Sequence, residues 1–276
     1  MTTTFIGGGN MATALIGGLR ARGAALGGFR VVEPHAEARS RLAERHPGVS
    51  LHAACTRDAV AEAELVVFAV KPQQMREAAR ALAAQLPAGR EPVVLSIAAG
   101  IRLIDLARWL GGYRRLVRAM PNTPALIGKG ISALYAEPDV DALARTLAAA
   151  VVEAAGEVLW VGDEAMLDAV TGVSGSGPAY VFYFIEALER AARDLGFDAC
   201  DARRLAYATF SGAVALAQAS PEEPATLRAQ VTSKGGTTER AIATLEGSAV
   251  GATIVAAVKA ARDRAKEMGD AFGSDT

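Results

Sequence analysis

From residue 3 to residue 135 the chain repeats one pattern. A short continuous apolar run is followed by a stretch in which apolar positions recur every three or four residues. Thr3–Ile6, Phe29–Val32, Leu65–Val70, Pro92–Ile97, Leu116–Ala119 and Ile131–Tyr135 have the length and composition of strands. Met11–Arg22 reads as helix, with Met11, Leu15 and Leu19 on one face and Gly23 to end it. So do segments at about 36–46, 73–86 and 103–110. Runs that are apolar throughout, rather than alternating, belong to strands buried on both faces. The first half is therefore expected to be an α/β, Rossmann-like domain with a parallel-dominated sheet.

From about residue 164 the strand signals stop. Pro178 suits the first turn of a helix in which Val181, Phe184, Ile185, Leu188, Ala192 and Leu195 share a face and Gly196 follows. Asp201 can cap a helix running to Ala219, a shorter helix is expected after Thr238, and another at about 248–269. The expected division is residues 1–163 and an all-α part, 164–276.

Composition narrows the class. About half of the 276 residues are apolar and the net charge is −1, which suits a globular protein with no bias toward nucleic acid. Two cysteines, Cys55 and Cys200, lie in different halves, which argues against a disulfide framework and for a reducing, cytoplasmic setting. Neither an export signal nor a membrane span is expected from the apolar runs, and no metal site.

The first chemical motif is Gly7-Gly8-Gly9-Asn10-Met11-Ala12, a Gly-x-Gly-x-x-Ala turn between an expected strand and an expected helix. Gly7 permits the tight turn, Gly9 lets a pyrophosphate approach the backbone, and Ala12 keeps the helix near the sheet. Glu33 ends the second strand, where an acid commonly bonds the adenosine ribose. That carboxylate favours NADH, whereas Arg30, His35 and Arg39 close by offset it, so NADPH and NADH both stay open. Three further loops at carboxyl ends of strands complete the expected cofactor cleft: Val70-Lys71-Pro72, Ser96-Ile97-Ala98, and the loop of Asn122.

The second half contains two small-residue tracts and no histidine; His35, His46 and His52 all lie in the first half. Thr171–Tyr180 carries Ser174 and Ser176 ahead of a long helix. It reads either as close packing beside a site or as direct substrate contact. Thr232-Ser233-Lys234-Gly235-Gly236-Thr237-Thr238-Glu239 offers hydroxyls and backbone N–H groups at a helix start, a ready anion site. Chemistry there must use hydroxyls, amides and a carboxylate.

Taken together, Gly172–Tyr180, Val231–Glu239 with Leu245-Glu246-Gly247, Arg118–Pro124, Phe5–Met11 and Phe68–Pro72 resemble pyrroline-5-carboxylate reductase over nearly the whole chain. The resemblance implies reduction of L-1-pyrroline-5-carboxylate to L-proline by NADPH or NADH, and a helical second domain that binds substrate and dimerises. In such a dimer the substrate tract of one chain faces the cofactor of the other. It also implies that Thr238 contacts the imine nitrogen, with Ser233, Gly236 and Thr237 on the substrate carboxylate and Glu164 near substrate. Gln230, usually Asn in the family, and Thr56 fall near the cofactor. Lys234 departs from the family's usual Pro without touching the Gly-Gly-Thr core.

The absence of histidine agrees. A carbonyl acceptor needs an acid for the developing alkoxide. A cyclic imine can bind already protonated, and a threonine hydroxyl then suffices. A β-hydroxyacid dehydrogenase would carry a Lys on the first long helix of its second domain, and Ala179–Leu195 has none. A non-catalytic dinucleotide sensor is the other alternative, against which the intact Ser233–Thr238 tract argues.

Overall fold

A computed structural model describes residues 2–86, 89 and 91–274. The chain runs β1 (Thr3–Ile6), α1 (Asn10–Ala21), β2 (Phe29–Val32), α2 (Ala36–Arg45), β3 (Ser50–His52), α3 (Arg57–Val60), β4 (Leu65–Phe68), α4 (Met75–Ala83) and β5 (Val93–Ser96). It continues α5 (Leu103–Trp109), β6 (Leu116–Met120), β7 (Gly130–Ala136), α6 (Ala142–Glu153), β8 (Gly156–Trp160) and α7 (Met166–Val170). A π-helical turn at Thr171–Gly175 leads into α8 (Gly177–Asp194), α9 (Ala199–Ala219), α10 (Pro224–Gln230), α11 (Thr237–Gly247) and α12 (Val250–Ser274).

The strands form one sheet in the order β3-β2-β1-β4-β5-β6-β7-β8. Every neighbouring pair is parallel except β6 and β7, so β7 and β8 run against the other six. The continuous apolar runs are buried on both faces, as their composition requires. Phe5, Val31, Val67 and Leu95 pack under α1 and α6, while Ile6, Val32, Val66 and Phe68 pack under α4 and α5. Thr4 is buried in β1 because its hydroxyl donates to the Ala59 carbonyl at 2.6 Å. Strand order reverses between β1 and β4, which opens a crevice at their carboxyl ends.

Six elements were not foreseen: β3, α3, α6, β8, α7 and α10. The two strands are short sheet edges without a continuous buried run. Asp201 is not the cap of α9. Asp198 is, accepting from the N–H groups of Cys200 and Asp201 at 2.8 and 2.9 Å.

The chain divides into two compact units later than residue 163. One runs through Ser176 and resumes at Ala260; the other is Gly177–Lys259. Residues 164–176 go with the sheet because Leu167 is fully buried and Arg118 of β6 pairs with Glu164 and Asp168. The end of α12 returns there too, with Asp270 on Arg102 at 2.7 Å and Phe272 against Gly100. In the helical unit, α8 packs with α9, where Ala202 and Ala206 are buried. No single helix among the described residues is long and apolar enough to cross a membrane.

Candidate active site

The turn after β1 has the geometry its glycines anticipate. Gly7 has φ +101°, and a Cβ there would lie 2.6 Å from the Ala69 carbonyl oxygen at the end of β4. A Cβ on Gly8 would overlap Leu42. Gly9, by contrast, is exposed and faces open space. It is the N-cap of α1 and supplies no side-chain cap, so the first N–H groups of that helix remain available. They open onto a cleft of about 740 Å³ lined by Gly8, Asn10, Thr13, Glu33, His35 and Arg41, among others. A helix N-terminus without a capping side chain, beside an exposed glycine and a cleft of this size, fits a dinucleotide's pyrophosphate.

Glu33 is buried at the end of β2. One carboxylate oxygen accepts from the Gly8 N–H at 3.0 Å and the other from the His35 N–H at 2.9 Å, so the side chain ties the two loops together. Of the cations expected to offset it, Arg30 is engaged with Glu62 at 2.9 Å. Arg39 donates to the carbonyls of Glu33 and Pro34. His35 does line the cleft, joined by Arg41 and Arg45 from α2. Thr56 is exposed at the N-cap of α3.

Val70 is half-buried and Lys71 exposed at the end of β4, where Pro72 starts a 3-10 turn. Ile97 follows β5, its N–H donating to the Phe68 carbonyl at 3.1 Å, and the Ala98 N–H lies 3.4 Å from the Ser96 hydroxyl. Asn122 makes two hydrogen bonds within the protein. Its Oδ1 accepts from the Ile131 N–H at 2.9 Å and its Nδ2 donates to the Ser174 carbonyl at 3.2 Å. The side chain thus ties the loop to β7 at one end and to the π-helical turn at the other.

Glu164 also has partners inside the protein. Its Oε1 accepts from Arg118 Nη1 at 2.9 Å and from the Leu103 N–H at 2.8 Å. Asp168 lies 3.6 Å from the same guanidinium, whose side chain is 3% exposed. A buried guanidinium is tolerable only when paired this way. Burial first, and then the Glu164 carboxylate, raises the pKa of nearby Glu137. Arg118 and Asp168 were missed as a structural pair. The signal was a charged residue inside an otherwise apolar strand. Ser174 back-bonds to the Val170 carbonyl at 3.3 Å, and Ser176 follows at the end of the turn.

The second tract lies in the helical unit. Gly236, not Thr238, is the N-cap of α11, so Thr238 is the second residue of that helix. Its half-buried hydroxyl makes no hydrogen bond among the described residues, whereas Thr232 and Thr244 both donate to carbonyls one turn earlier. The Gly236 N–H is not free. It closes a turn onto the Ser233 carbonyl at 3.0 Å, with Gly235 at φ +75°. A Cβ on Gly236 would sit 2.5 Å from the Ser233 hydroxyl oxygen. Glu239 accepts from the Gly235 N–H at 2.7 Å, and the backbone N–H groups of Thr237, Thr238 and Glu239 at the helix start have no acceptor among the described residues. Gln230, the last residue of α10, is exposed in the same unit.

Residues 164–268 match the family described as pyrroline-5-carboxylate reductase dimerisation, and residues 2–100 match NADP oxidoreductase coenzyme F420-dependent. A pyrroline-5-carboxylate reductase of Pseudomonas aeruginosa is 44% identical, over 98% of this chain and 97% of its own. The structure of a pyrroline-5-carboxylate reductase from Coxiella burnetii superposes with a TM-score of 0.89 at 37% identity, covering 97% of this chain and 98% of that one. A Plasmodium falciparum pyrroline carboxylate reductase with NADP bound shares the fold at 24% identity. Its TM-score is 0.85 and the overlap covers 98% of each chain.

Proposed function

The chain belongs to the pyrroline-5-carboxylate reductase family, and from that premise we infer how its own residues divide the labour. It is an oxidoreductase that reduces L-1-pyrroline-5-carboxylate to L-proline with NAD(P)H, a step of proline biosynthesis. When bound, the nicotinamide supplies a hydride to the imine carbon.

The open N-terminus of α1, with Gly7, Gly8, Gly9, Asn10 and Met11 around it, holds the pyrophosphate. Glu33 and Thr56 face the adenosine side, and Val70–Pro72 with Ile97 and Ala98 line the nicotinamide side. In the second unit, the N–H groups of Thr237 and Thr238 and the Ser233 hydroxyl bind the substrate carboxylate at the start of α11. Gly236 serves by lacking a side chain. The Thr238 hydroxyl accepts from the protonated imine N–H and orients it; hydride addition then gives the neutral ring amine with no further proton, and the same hydroxyl passes on a proton from water when that amine becomes the ammonium of proline. The observation that carries this assignment is the uncommitted Thr238 hydroxyl beside an uncapped helix start. No strong acid is needed, in keeping with a tract without histidine.

The oligomer is at minimum a dimer in which the substrate tract of one chain serves the cofactor cleft of its partner. The cytoplasm suits two cysteines, Cys55 and Cys200, that are both free.

The test is loss of nicotinamide absorbance with purified protein and pyrroline-5-carboxylate, first with NADPH and then with NADH. Oxidation that requires the imine and yields proline supports the reading, and the ratio of rates reports what Glu33 contributes. Coenzyme binding with no turnover of any cyclic imine would favour a sensor instead.

A further inference from the structure

Arg118 is the one charged residue in β6, Leu-Val-Arg-Ala-Met, and its side chain is almost wholly buried. Such a group costs stability unless fully paired, and apolar residues of similar volume often do as well. Its partners show what it holds. Glu164 precedes α7, Asp168 lies within it, and α7 runs directly into the Thr171–Gly175 turn. Glu164 reaches further, with the same Oε1 accepting the Leu103 N–H at 2.8 Å. Leu103 is the first residue of α5, whose N-cap, Arg102, provides no capping side chain. Glu164 therefore caps α5 from a distant part of the chain, just after the Ile97–Arg102 loop. A second tie runs parallel to the first. Asn122 donates to the Ser174 carbonyl at 3.2 Å, and a Cβ on Gly175 would come within 2.6 Å of Met120 Cε.

We propose that Arg118 and Glu164 are positioning residues that set the Ile97–Arg102 loop and the Thr171–Ser176 turn in register across the end of β6. The proposal rests on the reading that loop and turn border the reacting rings. Glu164 then acts on the reaction through Leu103 and Arg118, not by touching substrate. Arg118 meets Glu164 through Nη1 and Asp168 through Nη2 of one planar fork, and the single ammonium of a lysine cannot reproduce that fixed two-pronged geometry.

The test compares Glu164→Leu, Glu164→Gln and Arg118→Lys in the full-length protein. Wild type is first assayed with NADPH and pyrroline-5-carboxylate. Absence of turnover at that stage removes the reaction itself, whereas turnover leaves only the positioning role at issue. Glu164→Leu should lower kcat about tenfold and raise the KM for the imine. The Kd for NADPH, read by fluorescence titration, should stay within about twofold. Glu164→Gln keeps an oxygen for Leu103 and Arg118 and should recover most of kcat. Hydrogen–deuterium exchange without coenzyme should quicken in Glu164→Leu only in peptides covering 97–103 and 171–176. Arg118→Lys retains the buried charge and should lower kcat severalfold, again with NADPH binding preserved. That variant decides the matter should Glu164→Leu not fold. Wild-type kinetics in Arg118→Lys, NADPH affinity that falls in step with kcat, Gln no better than Leu, or faster exchange throughout the chain would each overturn the proposal.

Discussion

In the sheet unit Phe5, Phe29 and Phe68 are fully buried between helices and strands. In the helical unit Phe182, Tyr183 and Leu195 are 65%, 71% and 81% exposed, and the buried side chains of α9 are two alanines. One unit closes its core within a single chain; the other presents its apolar residues outward and completes its burial by association. The Ser233–Thr238 tract at α11, proposed above as the substrate site, therefore lies in the part of the molecule whose apolar residues face outward. Assembly and activity are expected to rise and fall together. Replacing Phe182 and Tyr183 by aspartate should test this most severely. Both side chains are exposed in the single chain, so its fold should survive. If each side chain contributes about 1 kcal/mol, the four lost across a two-fold interface should weaken the dimer about 10³-fold. Sedimentation should show a monomer, and turnover per chain should follow the dimer fraction. An active monomer would mean that one chain makes a complete site.

A smaller effect is expected from Thr238→Ala. Hydrogen bonds to charged groups contribute about 1.5–3 kcal/mol, so kcat should fall by roughly 10- to 100-fold. NADPH binding, which belongs to the sheet unit, should be unchanged, and Thr238→Ser should restore most of the rate. Parallel loss of coenzyme affinity would break the separation of roles between units.

The same contrast decides how much could be read without a structure. The strands of the sheet unit were legible because burial on both faces leaves a continuous apolar run, as at Leu65–Phe68 and Val93–Ser96. The glycine turn was legible because its constraints are local, and Gly7 and Gly8 prove closely packed. β8 lies at the sheet edge and is half open to solvent, so its pattern is weak, and nothing in residues 130–136 announces that β7 runs antiparallel. Partners far apart in the chain were hidden as well. Asn122 and Glu164 stand in motifs that suggest ligand contact, and their bonds to Ile131, Ser174, Leu103 and Arg118 were not legible there. Choices between neighbouring groups, such as Asp198 over Asp201 as a cap, depend on backbone angles that composition does not carry.

Two glycine-to-alanine changes sharpen the comparison at the level of packing. A Cβ on Gly18 of α1 would overlap the Ala154 carbonyl oxygen, so Gly18→Ala should cost about 1–3 kcal/mol. Gly212 of α9 has open space around it in the single chain, and alanine there should gain up to about 1 kcal/mol from helix propensity. Thermal melts of the two variants should move in opposite directions. If Gly212→Ala lowers the melting temperature as Gly18→Ala does, a second copy packs directly on that glycine.

The smallest effect concerns a cost held within the sheet unit's own core. His46 is buried behind α1, and neither ring nitrogen has a hydrogen-bond partner among the described residues. Burial first, then the charges of Arg45 and Arg20, lower its pKa from 6.5; the Thr13 backbone works weakly the other way. The unfolded chain therefore holds the His46 proton at pH values where the folded chain has released it. Stability is at its plateau above pH 6.5, declines as pH falls below that value, and levels off once the folded-state pKa is passed. For one group the slope cannot exceed about 1.4 kcal/mol per pH unit. His46→Phe keeps an apolar ring and cannot titrate. Melting temperatures of wild type and variant, measured from pH 8 to pH 5, should run parallel above pH 7 and diverge below it, with wild type losing ground. Glu137 and Asp141 are present in both proteins, so their titrations cancel in the difference. Curves that stay parallel throughout would show that the core meets His46 in its charged form at no cost.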